Sequence, residues 1–272
     1  MLLVLAFVLV PFLFWRGTWF GRTLSERETD QYLREAQPPR KTQHALVQLA
    51  ERIIRGDATV KRWYPRVQGL AAHPAPEIRA TVAWVMGQDN QSAAFHAALL
   101  DLLKDPEPVV RRNAALSLVR FQDRSGKVEL RRMLQPYEVL SPWAGTLSIR
   151  LKPADAVNPG TLLGRLQSQE ERYELRSPLP GYVHKWLVAE GSTVKADEPV
   201  VLLSPGEDQV WEALRALYLV GDMEDFAEVE RFARGVEGMP DKIRQQAVLT
   251  AEAIRRRAAE TTGIQTGSGP DS

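Results

Sequence analysis

Any chemistry in this chain must come from four histidines, a recurring set of aspartates and its serines and lysines, because it contains no cysteine. That absence removes disulfides, thiolate nucleophiles and Cys-ligated zinc. His44, His73, His96 and His184 are isolated, with no H-x-x-x-H or H-E-x-x-H spacing that would bring two ligands to one metal. They read as helix-face residues (His44, His96), a turn residue (His73) and a strand residue (His184). Asp57, Asp89, Asp123 and Asp222 each follow a helical stretch, which fits helix N-caps better than paired-carboxylate catalysis. Gly-rich phosphate loops and G-x-S-x-G are absent. The expectation is therefore no catalytic residue, no metal, no cofactor, no small-molecule substrate and no enzyme activity.

Charge narrows the partners. There are 35 Lys and Arg against 34 Asp and Glu, a net charge of +1, with the signs interspersed. No basic footprint for nucleic acid results. The clusters Arg111-Arg112, Arg131-Arg132 and Arg255-Arg256-Arg257 read as solvated helix surfaces, with anionic lipid or phosphate as the alternative.

Those residues are carried on two kinds of element. A half-motif is written twice, Ser141-Pro142-Trp143-Ala144-Gly145-Thr146-Leu147 and Ser177-Pro178-Leu179-Pro180-Gly181-Tyr182-Val183, each continuing into a strand, a turn and a second strand. The second copy turns at Glu190-Gly191-Ser192; the first turns at Ala154-Asp155 and is one residue shorter. This pattern resembles the biotinyl/lipoyl-type hammerhead domain, which implies a small flattened β-barrel of two interlocked halves over residues 136–204. In carrier members of that family a lysine at the tip between the halves receives the prosthetic group. Here the tip falls at Gln167 to Glu171, the acceptor position falls at Glu170, and no lysine lies between Pro153 and His184. Lys152 and Lys185 are expected in strands, so the module is read as unmodified. Trp143 and Trp186 sit in it where core room is limited, and they are the candidate protein contacts.

The rest reads as paired helices. His73-Pro74-Ala75-Pro76 to Arg79 and Asp105-Pro106-Glu107-Pro108 to Arg111 recur about 32 residues apart, each opening a helix with Pro in its first turn. The D-P-x-x-x-V-R-x-x-A-A pattern resembles a HEAT-type repeat, whose Asp and Arg form a ladder between repeats; His73 replaces the Asp in the first copy. Trp63, Tyr64, Trp84 and Trp211 are expected in the helical core. Residues 1–15 are apolar and uncharged, and Trp19-Phe20 continue the run past a single Arg16, together long enough for a membrane anchor. The basic residues that follow place the soluble body in the cytoplasm.

The fold class expected is mainly α with a β insertion: an N-terminal transmembrane helix (1–21), HEAT-like helices (22–135 and 205–259, about five pairs), the inserted lipoyl/biotinyl-like barrel (136–204) and a disordered tail (260–272). The function expected is a non-enzymatic, membrane-anchored scaffold or adaptor, single-pass in the cell membrane, that binds a membrane protein complex or another protein. The alternative is a periplasmic-adaptor-like component of an efflux or secretion system. A carrier subunit, modified on a lysine, ranks third.

Overall fold

The computed structural model describes residues 22–168 and 171–266. Two compact units meet between Ala98 and Leu99 in the chain. In the first, α1 (Glu26–Glu35) and α2 (Pro39–Ile54) are followed by short helical turns, Ala58–Trp63, α3 (Tyr64–Gly69) and Leu70–Ala72, and then by α4 (Pro76–Met86). Ser25 and Glu28 start α1 with a capping box: Glu28 N–H donates to Ser25 Oγ at 3.3 Å and Ser25 N–H to Glu28 Oε2 at 2.9 Å. Apolar residues at helical spacing, among them Leu46, Leu49, Val82 and Met86, are buried with Trp63 and Val67. Tyr64 packs on Phe95 and donates its hydroxyl to Asp89. Trp84 departs from expectation and is partly exposed, because its neighbours Val82, Ala83, Val85 and Met86 take the inward face of α4.

Helix α5 (Ala93–Leu102) crosses the division, and the second unit continues with α6 (Pro108–Arg120) and α7 (Lys127–Arg132). Eight strands follow: β1 (Tyr137–Leu140), β2 (Gly145–Ile149), β3 (Ala156–Val157), β4 (Leu162–Gln167), β5 (Arg172–Arg176), β6 (Gly181–Trp186), β7 (Thr193–Val194) and β8 (Pro199–Ser204). Then come α8 (Glu207–Val220), α9 (Phe226–Ala233) and α10 (Asp241–Thr266), the last running past the expected boundary at 260.

The two motif turns are built alike. Ala75 N–H donates to His73 Nδ1 at 3.0 Å, and Glu107 N–H to Asp105 Oδ1 at 2.9 Å, so the imidazole replaces the carboxylate as acceptor. Arg79 Nη1 and Arg111 Nη1 then each bond the two carbonyls that open the turn, those of His73 and Pro74 and of Asp105 and Pro106. Each arginine thus staples the turn that precedes its own helix.

Helices α7 and α8 pack together although the strands separate them in sequence. Leu130, Met133 and Leu134 share a buried core with Val210, Leu214, Leu217, Val229, Phe232 and Ile243. A polar clamp lies beside it. Arg131 Nε donates to Asp225 Oδ1 at 2.7 Å, Lys127 pairs with Asp222, and Arg231 Nη2 donates to the Leu134 carbonyl at 2.6 Å. Asp225 is 0% exposed. The guanidinium of Arg257 closes α8 by donating to the carbonyls of Leu217, Tyr218 and Gly221.

The strands form two antiparallel four-stranded sheets in the orders β1-β8-β6-β3 and β5-β4-β2-β7. Moving every strand four places along the chain turns one order into the other, so the sequence duplication is a duplication of topology. Leu147, Leu163, Leu166 and Val194 from one sheet meet Val139, Val183, Val200 and Leu203 from the other in a single core. The expected closed barrel is corrected: the ladders stop at the two-residue strands β3 and β7, and no pairing joins the sheets among the described residues. The one-residue difference between the halves is taken up at His184, where the β6–β8 register shifts between Val183 and Lys185. Ala154 and Gly191 then occupy matching left-handed turns, with φ of 72° and 76°. Their N–H groups donate to Val183 O at 2.7 Å and to Leu147 O at 2.9 Å. Lys185 lies in β6, whereas Lys152 lies between strands, bonded through its N–H to Asp155.

The membrane placement is also corrected. Among the described residues no helix is long and apolar enough to cross a membrane. The helix expected over 1–21 lies outside the described residues, so neither it nor a single-pass location is carried forward.

Strain and charge give three predictions. Ala154→Gly is expected to stabilise the fold by about 0.5–1 kcal/mol and Gly191→Ala to destabilise it by about 1 kcal/mol, because only glycine is unstrained at positive φ; urea unfolding reads both. Removing the buried acid that meets Arg131, in Asp225→Ala, leaves that half-buried guanidinium only the exposed Glu224 as a partner and is expected to cost about 3 kcal/mol. The Lys127–Asp222 pair adds a pH signature. Burial is the largest single effect and opposes both charges, but their mutual hydrogen bond, the Glu224 N–H on Asp222 and the neighbouring opposite charges together outweigh it, lowering the Asp222 pKa and raising that of Lys127. The Asp222 contribution is present above its unfolded pKa and lost as pH falls through the folded value; that of Lys127 is present below its unfolded pKa and lost as pH rises through the folded value. Asp222→Asn should therefore flatten both limbs of the stability profile.

Candidate functional site

The module has two ends, one against the helices and one free. At the first, Tyr137, Leu179, Pro180 and Leu203 close on Arg112 of α6 and Gln209 of α8, leaving no cavity that admits a water. Gln209 locks this joint in two directions. Its Oε1 accepts Gly206 N–H at 3.3 Å, starting α8, while its Nε2 donates to the Pro180 carbonyl at 2.8 Å. Gly181 must be glycine here, since a Cβ would collide with the Ser204 carbonyl.

Arg112 is only 5% exposed. Burial pulls its pKa down to about 10, against the opposing pull of Glu129. Its Nε lies 3.7 Å from Glu129 Oε1, outside hydrogen-bond range, while Arg111 Nε bonds the other oxygen at 3.3 Å. Burial likewise raises the Tyr137 pKa, with Arg111 and Arg112 opposing it. Arg111-Arg112 was expected as solvated helix surface; it lies instead beneath the module, whose first strand covers that face of α6. Arg131 and Arg257 are likewise structural.

At the free end Trp143 is 46% exposed, and its ring stacks on Tyr173 with centroids 4.5 Å apart and planes 10° from parallel. The buried hydroxyl of Ser141 fixes the loop by donating to the Trp143 carbonyl at 2.7 Å. Tyr173 donates its hydroxyl to the Glu171 carboxylate, which raises the tyrosine pKa. Arg172 Nε donates to Gln167 Oε1 at 2.7 Å, bracing the end of the hairpin. Glu170, the acceptor position of the sequence reading, lies outside the described residues.

The structure separates the two tryptophans singled out from sequence. Trp186 is half-buried against the module core, and its Nε1 donates to the Leu151 carbonyl at 2.9 Å, so it serves the fold. Trp143 is the exposed one. Tyr173 and Glu171 were missed, because only the β4–β5 pairing brings them beside the first Ser-Pro loop.

The remaining polar residues are local. Asp57, Asp89, Asp123 and Asp222 each accept the N–H two residues on, from Thr59, Gln91, Ser125 and Glu224. Asp57 is held near a pKa of about 2 by Thr59 and Arg52. Among the described residues no three His, Asp or Glu side chains converge as metal ligands. An open groove of about 1100 Å³ beside α2 carries Arg52, but that side chain is committed to Asp57 and Glu26.

Comparison with known proteins adds a family signature. No curated protein matches the chain. A solved structure described as a single-chain, multi-domain long-chain acyl-CoA carboxylase is similar over 38% of this chain and 10% of its own, at 17% identity and a TM-score of 0.25. This chain thus spans about a tenth of that carboxylase's length. The sequence profile of HEAT repeats matches residues 65–141, so the chain carries HEAT-like repeat there.

Proposed function

We propose that this protein is a non-enzymatic scaffold or adaptor for protein partners, in which an unmodified lipoyl-like module, inserted in a HEAT-like helical turn, presents its free end as a contact surface. HEAT-like repeats support a protein-interaction role, since paired helices expose extended faces. The duplicated topology and the two Ser-Pro loops support the lipoyl-like reading of residues 136–204. A carrier would need a lysine at the tip, and the sequence has none between Pro153 and His184.

The observation that carries the proposal is Trp143. A large aromatic ring, stacked on Tyr173 and carried on a loop that Ser141 fixes yet nearly half exposed, loses little conformational freedom on binding. Such rings are the usual energetic centres of protein interfaces.

Native co-purification should recover a stoichiometric protein complex, and the intact mass of the chain should equal that of its unmodified sequence. A chain that purifies alone as a monomer refutes the scaffold, and a mass increment matching biotin or lipoate refutes the unmodified module. Trp143→Ala should weaken the complex by tenfold or more, about 1.4 kcal/mol, with unfolding free energy changed by less than about 1 kcal/mol.

A further inference from the structure

The internal duplication relates the two ends of the module to each other, and among the described residues only one of them is covered by helices. Tyr137 of β1 pairs with Leu203 of β8, and Tyr173 of β5 pairs with Leu166 of β4 in the matching position. Ser177 Oγ donates to the Leu179 carbonyl at 2.6 Å as Ser141 Oγ does to that of Trp143. Gly181 approaches the Ser204 carbonyl, and Gly145 approaches that of Gln167, where a Cβ would stand 2.9 Å away. Residue by residue, Tyr137, Leu179 and Pro180 at the docked end correspond to Tyr173, Trp143 and Ala144 at the free end.

The docked end shows what that shape receives. Leu179 is 1% exposed, Tyr137 lies beside Arg111 and Arg112 of α6, and the Pro180 carbonyl accepts from Gln209 in the first turn of α8. A pair of helices, presenting arginine to the tyrosine and an amide donor to the loop carbonyl, seals it.

We infer that the free end is a second docking surface of the same kind, and that its partner is a different protein offering a helical face with an arginine. This rests on the scaffold reading above. The changes between the two ends fit an occupant from another chain. Leu179, a modest apolar plug, becomes Trp143, whose open face accepts a guanidinium by cation–π attraction. The acid that steadies the arginines at the docked end, Glu129, belongs to the helices. At the free end the module carries its own acid, Glu171, within bonding range of Tyr173. An incoming arginine therefore meets both a ring and a carboxylate. A second copy of this chain is disfavoured as occupant, because its equivalent helical face already holds its own module.

Photo-crosslinking of the full chain in its native cells tests this, with p-benzoylphenylalanine in place of Trp143 and the joined peptides sequenced by mass spectrometry. The cross-link should fall on an arginine-containing helical segment of a co-purifying protein, and Trp143→Ala and Glu171→Lys should each weaken that complex tenfold or more with the melting temperature shifted by no more than about 4 °C. Cross-links to a strand or loop, or to a second copy of this chain, overturn the inference. A partner retained at full affinity by both variants also overturns it while leaving the scaffold reading intact. No partner for the wild-type chain removes both.

Discussion

The structure of the second unit depends on closing one helical pair across an inserted module. Helix α7 ends at Arg132 and its partner α8 begins at Glu207. Closing so long a loop by an unfolded chain would carry an entropic cost that grows with its length. The module removes that cost by folding, because its first and last strands are neighbours: Tyr137 faces Leu203 in the β1–β8 ladder. Adjacent strands lie about 5 Å apart, so the module delivers the chain back where it left, as a short turn would. The Leu130–Leu217 core and the Arg131–Asp225 clamp can then form as in a directly connected helical pair.

That arrangement explains why the joint is tight. Two connections leave the module little freedom, and the pairing of Gln209 with Pro180 and the burial of Arg112 under Tyr137 remove more. Arg112 is held by an ion pair that falls short of hydrogen-bond geometry at its Nε, a weak source of stability. Its role is placement: with the module absent that guanidinium would be solvated. Orientation is what a contact surface needs, since a fixed aromatic surface loses less entropy on binding than a tethered one.

Much of this was legible in the sequence wherever a local rule dictates structure. Pro76 and Pro108 mark helix starts, the serine-proline loops mark the duplication, and Ala154 stands at the left-handed turn that Gly191 occupies in the other half. The misreadings share a cause, since each concerns a long-range relation that no local pattern encodes. Arg111-Arg112 looks like solvated surface until β1 is laid over it. Trp84 looks like core until its neighbours claim the inward face. The stack of Trp143 on Tyr173 joins residues from different halves, and the barrel opened into two sheets because closure is a property of edge strands.

The central claim is that module and helices form one rigid body within the second unit, with the Trp143 end presented in a fixed direction. Backbone ¹⁵N relaxation of the full chain tests this most directly, by comparing amides of the module core such as Leu147 and Val183 with amides of the helices such as Leu214 and Ala247. The account predicts one rotational correlation time for both sets. A distinctly shorter time for the module would show it moving as a tethered bead, and would contradict the account.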